Sequence, residues 1–270
     1  MKKNMIILIV LLMSVSLIIS GCGGNKSATT TKNSLEEIKE QGYFVVGLDD
    51  NFPPMGFRSE SGEIVGFDID LAKEAAKRLG VDVKFKPVDW DGVILSLKNG
   101  NIDVIWNGLT VTEKRKEQIA FSNVYVANRQ AIIVRKDSDI KTTEDLAESV
   151  VGLQMGSSSE QALKSNQELS KSLKNIRKYS NNVEALLDLR AGRIDAVIID
   201  EIVGRYYITK KKADYKVLDQ YLAEEDYAVG IRKEDNEFRE ELNKVLDEMK
   251  EDGTAAKISE KWFSEDILVK

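Results

Sequence analysis

The sequence predicts an α/β fold built as two similar lobes, and two observations point there. Past residue 42, apolar strand-like runs alternate with amphipathic helical patterns, the order of an α/β domain. One stretch then returns at a constant offset. Leu95-Ser-Leu-Lys-Asn-Gly100-Asn-Ile102-Asp103-Val104 reappears as Leu187-Asp-Leu-Arg-Ala-Gly192-Arg-Ile194-Asp195-Ala196, with both leucines, the glycine, the isoleucine and the aspartate matched. Each copy reads as a helix end, a glycine C-cap and a buried strand. The bland reading is that any helix–glycine–strand unit looks this way. Open α/β sheets take ligands beyond the carboxyl ends of their strands. At the same offset Gly108 aligns with Asp200, both just past a strand, so two such ends facing each other would form a cleft.

The elements follow in order. Lys2 and Lys3 precede an apolar run from Met5 to Ile19 broken by Ser14 and Ser16, too short to span a bilayer after a basic start, so residues 1–21 read as an export signal. The run ends Ile19-Ser20-Gly21-Cys22 and resembles a bacterial lipobox, which would make Cys22 a lipidated N-terminus. An ordinary secretory signal with an incidental cysteine is the plainer reading. From Gly23 to about Asn33 the chain is rich in Gly, Ser, Thr and Lys, and residues 22–35 are assigned to the lipidated cysteine and a flexible tether. Ser34 with Glu37 looks like a capping box opening a short helix that stops at Gly42. Tyr43 to Leu48 is strand-like. Ala72, Ala75, Ala76 and Leu79 mark a helical face closed by Gly80, and Val81 to Val88 is strand-like again. Val150–Gln154 and Ile194–Ile199 read as further strands. Phe238, Leu242, Val245, Leu246 and Met249 form the stripe of a late helix.

Composition narrows the function classes. With 42% hydrophobic residues in 270, the chain can build a full core. Cys22 is the only cysteine and there is no histidine, which removes disulfides, thiolate sites and the commonest general base. A transition-metal centre would have to be all carboxylate, and neither metal nor cofactor is expected. Without Lys2 and Lys3 the formal charge goes from −6 to −8, a poor match for nucleic acid.

Gly66-Phe67-Asp68-Ile69-Asp70-Leu71, then Ala75-Ala76 and Leu79, resembles the signature of family 3 solute-binding proteins, the extracytoplasmic receptors of polar amino-acid ABC importers. Asp49-Asp50-Asn51-Phe52-Pro53-Pro54, Asp252-Gly253-Thr254 and Lys261-Trp262-Phe263 extend the resemblance over about residues 42–263. The signature itself reads as structural, its acids favouring a helix N-terminus. The resemblance implies a type II periplasmic-binding-protein-like fold. Each lobe would hold a mixed sheet flanked by helices: residues 36–126 plus 227–270 in lobe 1, residues 127–226 in lobe 2, joined by two hinge crossings near Val124–Gln130 and Ala223–Tyr227. It implies capture of a polar L-amino acid by closure of the lobes and delivery to a membrane permease with a cytoplasmic ATPase. A lipid-anchored monomer on the extracytoplasmic face of the cell membrane is expected.

The resemblance also assigns site residues. Arg115 would grip the ligand carboxylate, a task that suits a planar guanidinium. Gly108 and Thr110 would contact the same end. Asp200 would accept the ligand ammonium, with an N-cap for the helix near Glu201 as its plainer role. The Gly156-Ser157-Ser158-Ser159 turn presents backbone N–H groups at a helix start and would complete the carboxylate site from lobe 2. Phe52 and Trp90 would sandwich the side chain, although core packing is the usual fate of a lone Phe. Asp49, Asn107 and Gln154 would read the side-chain end. Gln154 and Ile199 stand where glutamine receptors of the family carry a lysine and a histidine, so basic amino acids or cystine and cysteine are favoured over glutamine. A dehydratase-like enzyme on the same fold is the alternative, followed by a sensory receptor or a surface adhesin.

Overall fold

The computed structural model describes residues 34–269. The signal assignment over residues 1–21, the lipidation site Cys22 and the tether up to residue 33 lie outside these described residues. In chain order the elements are α1 (Ser34–Gln41), β1 (Tyr43–Leu48), β2 (Asn51–Phe52), β3 (Gly56–Arg58), β4 (Ile64–Val65), α2 (Phe67–Leu79), β5 (Asp82–Pro87), α3 (Val93–Lys98), β6 (Val104–Ile105), α4 (Glu113–Lys116), β7 (Ala120–Phe121) and β8 (Val126–Arg135). Then come β9 (Val150–Gln154), α5 (Ser158–Ser165), α6 (Gln167–Ser172), β10 (Asn175–Tyr179), α7 (Asn182–Arg190), β11 (Ala196–Asp200), α8 (Glu201–Thr209), β12 (Tyr215–Tyr227), β13 (Gly230–Ile231), α9 (Asn236–Glu251) and α10 (Thr254–Phe263). Helix α1 already contains Ser34 and Leu35, the last two residues ascribed to the tether.

Two five-stranded sheets organise the molecule, ordered β5-β1-β6-β13-β7 and β10-β9-β11-β8-β12. In each, three parallel strands are extended on one side by antiparallel partners. A small sheet, β2-β3-β4, sits beside the first.

The repeated stretch has the same physical role in both sheets. Gly100 and Gly192 end their helices at φ 70° and 68°, where a side chain would be strained. Ile102 and Ile194 are buried and press on the flat faces of Gly47 and Gly152; a Cβ on Gly47 would overlap Ile102, and one on Gly152 would stand 2.6 Å from Ile194 Cδ1. The Asp103 carboxylate accepts the Val45 N–H at 2.8 Å, and the Asp195 carboxylate accepts the Val150 N–H at 2.8 Å. One arginine closes each unit. Arg232 Nη1 donates to the carbonyls of Leu97 and Ile102, and Arg135 Nη1 donates to those of Leu189 and Ile194. The matched residues are therefore a repeated device for docking a helix–strand unit onto the neighbouring strand.

The signature acids do more than favour a helix start. Asp70 accepts from Lys261 Nζ at 2.6 Å and Trp262 Nε1 at 2.8 Å, tying α2 to α10. Asp252 pairs with Arg78 at 2.7 Å, joining the end of α9 to the last turn of α2. Asp68 is fully buried and turns inward. The stripe on α9, Phe238 to Met249, is buried, and Phe238 meets Phe44 with centroids 5.7 Å apart.

Strands β8 and β12 run side by side where the chain passes between the sheets, with Val126 paired to Tyr227, Asn128 to Glu225 and Gln130 to Ala223. Thr110, past the end of β6, bridges to Tyr227, and Val126 bridges to Leu268. The polar side chains of the junction described next come from strand ends, from this crossing and from the short helices and helix starts that follow the strands.

Candidate ligand-binding site

Strand β11 runs apolar from Ala196 to Ile199, all buried, and then delivers Asp200 at its carboxyl end. Asp200 starts α8, but its side chain makes no capping bond. The carboxylate turns the other way. Oδ1 accepts from Tyr227 Oη at 2.6 Å, Asn128 Nδ2 at 2.7 Å and Gln130 Nε2 at 3.0 Å. Burial and the nearby Glu225 charge push its acid up to about 7, against the pull of Tyr227 and of Arg115.

Arg115 lies on the one-turn helix α4, whose start is fixed by the Thr112 side chain accepting the Arg115 N–H. The guanidinium is buried; Nη1 donates to Thr110 O at 2.8 Å and Nη2 to Gly156 O at 3.4 Å. It therefore contacts the carboxyl end of β6 and, across the junction, the turn before α5. Burial pulls its pKa below the ordinary arginine value, against the charges of Glu225 and Asp200, but arginine remains charged throughout the physiological range. Its Cζ stands 5.9 Å from the centroid of the Trp90 ring. Trp90 opens a short 3-10 turn and is buried.

The Ser-rich turn caps α5: Ser157 Oγ accepts from the Glu160 N–H and donates to Gln154 O at 2.7 Å. Ser158 Oγ is then 3.1 Å from Thr110 Oγ1, a contact between the two sheets' loops. Ser159 Oγ donates to Gln130 Oε1 at 2.5 Å. Gly108 holds φ 57° with its N–H donated to Asp68 Oδ2 at 2.7 Å; a Cβ there would stand 2.9 Å from the Phe52 ring and 3.0 Å from Tyr227. Only glycine fits this left-handed, crowded position. Phe52 itself is buried, as core and as one wall of this junction.

A second cluster forms around Asp49, at the carboxyl end of β1. Gln154 Nε2, from β9, donates to Asp49 Oδ2 at 2.7 Å and to Ser180 O at 3.1 Å, while Asn182 Nδ2 donates to Gln154 Oε1 at 3.1 Å. Burial raises the Asp49 acid above its ordinary range, opposed by the Asn51 N–H and Gln154. Asn107 Oδ1 accepts the Asp49 N–H at 3.0 Å, and its Nδ2 packs on Gly56, where a Cβ would come within 2.5 Å. Asn107 thus braces the end of β1.

The structure brings Asp49, Phe52, Trp90, Gly108, Thr110, Arg115, Gln154, Ser157, Ser158 and Asp200 to the junction, with Asn107 one layer behind. A cavity of about 350 Å³ reaches Arg115, Asp91 and Ser157; another, of about 740 Å³, reaches Thr110, Ser158 and Glu225. Sequence reasoning missed Asn128, Gln130, Glu225 and Tyr227, all on the crossing strands. Glu225 sits in a run of charged residues that reads as solvated surface, and its pairing opposite Asn128 was the missing signal. Asp68, read as a helix-start acid, instead accepts from Gly108 N and Tyr125 Oη and is pushed up to about 7 by burial. Among the described residues, no group of three or more His, Cys, Asp or Glu side chains is arranged to hold a metal ion.

Comparison with known proteins places this geometry in context. Residues 44–265 match the model of the bacterial extracellular solute-binding proteins, family 3. The chain is 31% identical over 258 residues to the L-cystine-binding protein TcyJ of Escherichia coli, covering 95% of this chain and 96% of that protein. It is 38% identical over 230 residues to the histidine-binding periplasmic protein of Escherichia coli, covering 82% and 88%. An ABC uptake transporter substrate-binding protein from Streptococcus pneumoniae, solved with bound histidine, superposes with a TM-score of 0.87 at 36% identity, covering 89% of this chain and all of that one.

Proposed function

From the premise that this chain belongs to the family 3 bacterial extracellular solute-binding proteins, we propose that it is the capture component of an amino-acid ABC importer. It takes a polar L-amino acid between its lobes and presents it to a membrane permease. One observation carries the reading: a buried cation, Arg115 of helix α4, and a buried carboxyl group, Asp200 at the end of β11, reach one junction from different lobes and act on each other electrostatically. A zwitterion supplies the complementary pair, with its carboxylate toward Arg115 and the Ser157–Ser158 turn and its ammonium toward Asp200.

Charge count favours a cationic side chain. Asp200 and Glu225 act on one guanidinium and Asp49 stands in the neighbouring cluster, and a zwitterion alone leaves that excess of acidic groups unchanged. Arginine, lysine or protonated histidine reduces it at the Asp49 end; cystine leaves the count unchanged, because its distal ammonium comes with a distal carboxylate, but it can still set an ammonium beside Asp49. Phe52 and Trp90 line the path with aromatic faces that accept a cationic head or an aliphatic stem. Glutamine offers no such charge. The rival dehydratase reading would require a proton donor beside a reacting bond. Here Asp200 is assigned to the ligand's ammonium and Asp49 to its side-chain end, and the relatives described above are binding proteins.

The lobes are residues 36–126 with 227–270 and residues 127–226, turning about the paired strands β8 and β12. The protein acts as a monomer, held at the extracytoplasmic face of the membrane by a lipid on Cys22. Radiolabelled palmitate should enter the protein and be lost in Cys22→Ala; equal labelling of the variant would remove the anchor from this reading.

The test of ligand class is a thermal-shift screen on protein stripped by unfolding and refolding. L-Arginine, L-lysine, L-histidine, L-cystine, L-cysteine, L-methionine and L-glutamine are compared. At about 100 times its dissociation constant a ligand adds roughly 2.7 kcal/mol, which raises the midpoint of a chain this size by about 5–10 °C. A shift with a basic amino acid or cystine, and a smaller one with glutamine, is expected. No shift with any L-amino acid would overturn the proposal.

A further inference from the structure

Glu225 lies on the strand that joins the lobes, opposite Asn128 of β8. Its Oε2 accepts from Thr110 Oγ1 and Gln130 Nε2, each at 2.9 Å, and lies 3.3 Å from Ser158 Oγ and from Asn128 Nδ2. Two of these donors, Asn128 Nδ2 and Gln130 Nε2, also serve Asp200 Oδ1. Two carboxylates therefore converge on the same pair of amide groups. Arg115 is the cation whose charge acts on both, and it is committed to two backbone carbonyls.

A buried carboxyl group, Asp200, beside a half-buried one, Glu225, is costly when both are ionised unless a cation stands between them. The Asn128 amide nitrogen bridges the two acids, 2.7 Å from Asp200 Oδ1 and 3.3 Å from Glu225 Oε2. Two carboxylate groups that share donors in this way match a compact cation with several donors, which is the chemistry of a primary ammonium. The Thr110 and Ser158 hydroxyls can donate to a carboxylate and accept from an ammonium, so they fit either occupant.

We propose that Glu225 is a second acidic acceptor for the α-ammonium group of the bound amino acid, acting beside Asp200 from the crossing strand. Rotation about the crossing would then be linked to the ligand through Glu225, whereas Asp200 links it only to the second sheet. The inference rests on the amino-acid capture proposed above and names one more residue in that site.

The experiment is calorimetric titration of the protein and its Glu225→Gln variant with L-arginine, L-histidine and L-cystine. Each is set against its desamino analogue: 5-guanidinopentanoate, imidazolepropionate and dithiodipropionate. Analogue affinities too weak to titrate directly are read by competition. For the amino acid that binds, Glu225→Gln should weaken affinity about tenfold or more, the scale of one charge-assisted bond. The analogue, which keeps the carboxylate and side chain but lacks the ammonium, should change by less than about twofold.

Equal loss for amino acid and analogue would mean a structural role and overturn the proposal, as would unchanged affinity for both. Tighter binding of both by Glu225→Gln would also overturn it, and would show that Glu225 competes with the ligand carboxylate. If Glu225→Gln does not fold, Glu225→Asp retains the charge at shorter reach and carries the same comparison of amino acid with analogue. Failure of the unmodified protein to bind any amino acid of the thermal-shift screen would overturn the capture reading and this inference with it. Binding by the unmodified protein with no selective loss in the variant overturns the inference alone.

Discussion

Asp68 and Asp200 are buried carboxyl groups that the fold pushes up to about 7, chiefly by removing water. Each therefore holds a proton in the folded state over a range where the unfolded chain has lost it. Such a group contributes stability that is fully present below its unfolded value near 4 and is lost as pH rises through 7. Unliganded protein should become less stable from pH 5 to pH 7.5, and Asp68→Asn should flatten part of that slope. Urea midpoints at four pH values measure it; a variant with the original slope would show that Asp68 titrates as an ordinary acid. Ligand adds a second consequence. An ammonium needs Asp200 ionised, so binding near pH 6–7 should expel a proton, and affinity should fall as pH drops below 7. Titration in two buffers of different ionisation enthalpy reads this proton directly. The place of Arg115 and Asp200 at the junction was legible through the family resemblance, which picks out Arg115 by its segment and Asp200 by its position at a strand end. Asn128, Gln130 and Glu225 were not, because their roles arise from pairing between segments far apart in the chain.

At the scale of elements, the repeated helix–glycine–strand unit was readable because its chemistry is local. A left-handed glycine, an isoleucine pressed on a strand glycine, and an aspartate bonding a strand N–H recur at one spacing. The arginines that complete the two units were not readable, because Arg232 and Arg135 come from antiparallel strands with different connections. The three-stranded β2-β3-β4 sheet was also missed, since strands of two or three residues carry no periodicity. Arg135→Met and Arg232→Met should each cost about 1–3 kcal/mol, because each leaves one helix-end carbonyl and one carbonyl before the next strand short of a donor. The double variant should equal their sum within about 0.5 kcal/mol, since the sites share no partner. Urea denaturation of the three variants checks this, and strong coupling would contradict independent units.

For the whole molecule, the two-lobed plan followed from alternation and the internal repeat, while the long paired crossing of β8 and β12 emerged only in three dimensions. Contacts across the junction include three polar ones, Thr110 to Ser158, Arg115 to Gly156 and Asp49 to Gln154, and an aromatic one, Phe57 to Tyr206, with centroids 5.8 Å apart. A ligand that bonds to both sides should shift the balance between open and closed arrangements. Small-angle scattering should show a smaller radius of gyration with saturating ligand than without. An unchanged radius would contradict closure about β8 and β12.

The most direct test of the central claim is the calorimetric affinity of the protein, Arg115→Met and Asp200→Asn for the amino acid found in the thermal screen. Unliganded thermal midpoints serve as the folding control. Removing either partner of a buried charged contact is expected to cost about 2–5 kcal/mol, a loss of roughly thirtyfold or more from each side of the junction. Both variants folded and both weakened to that degree is the predicted result. A folded variant of either residue that binds as tightly as the unmodified protein would contradict capture of a zwitterion between Arg115 and Asp200.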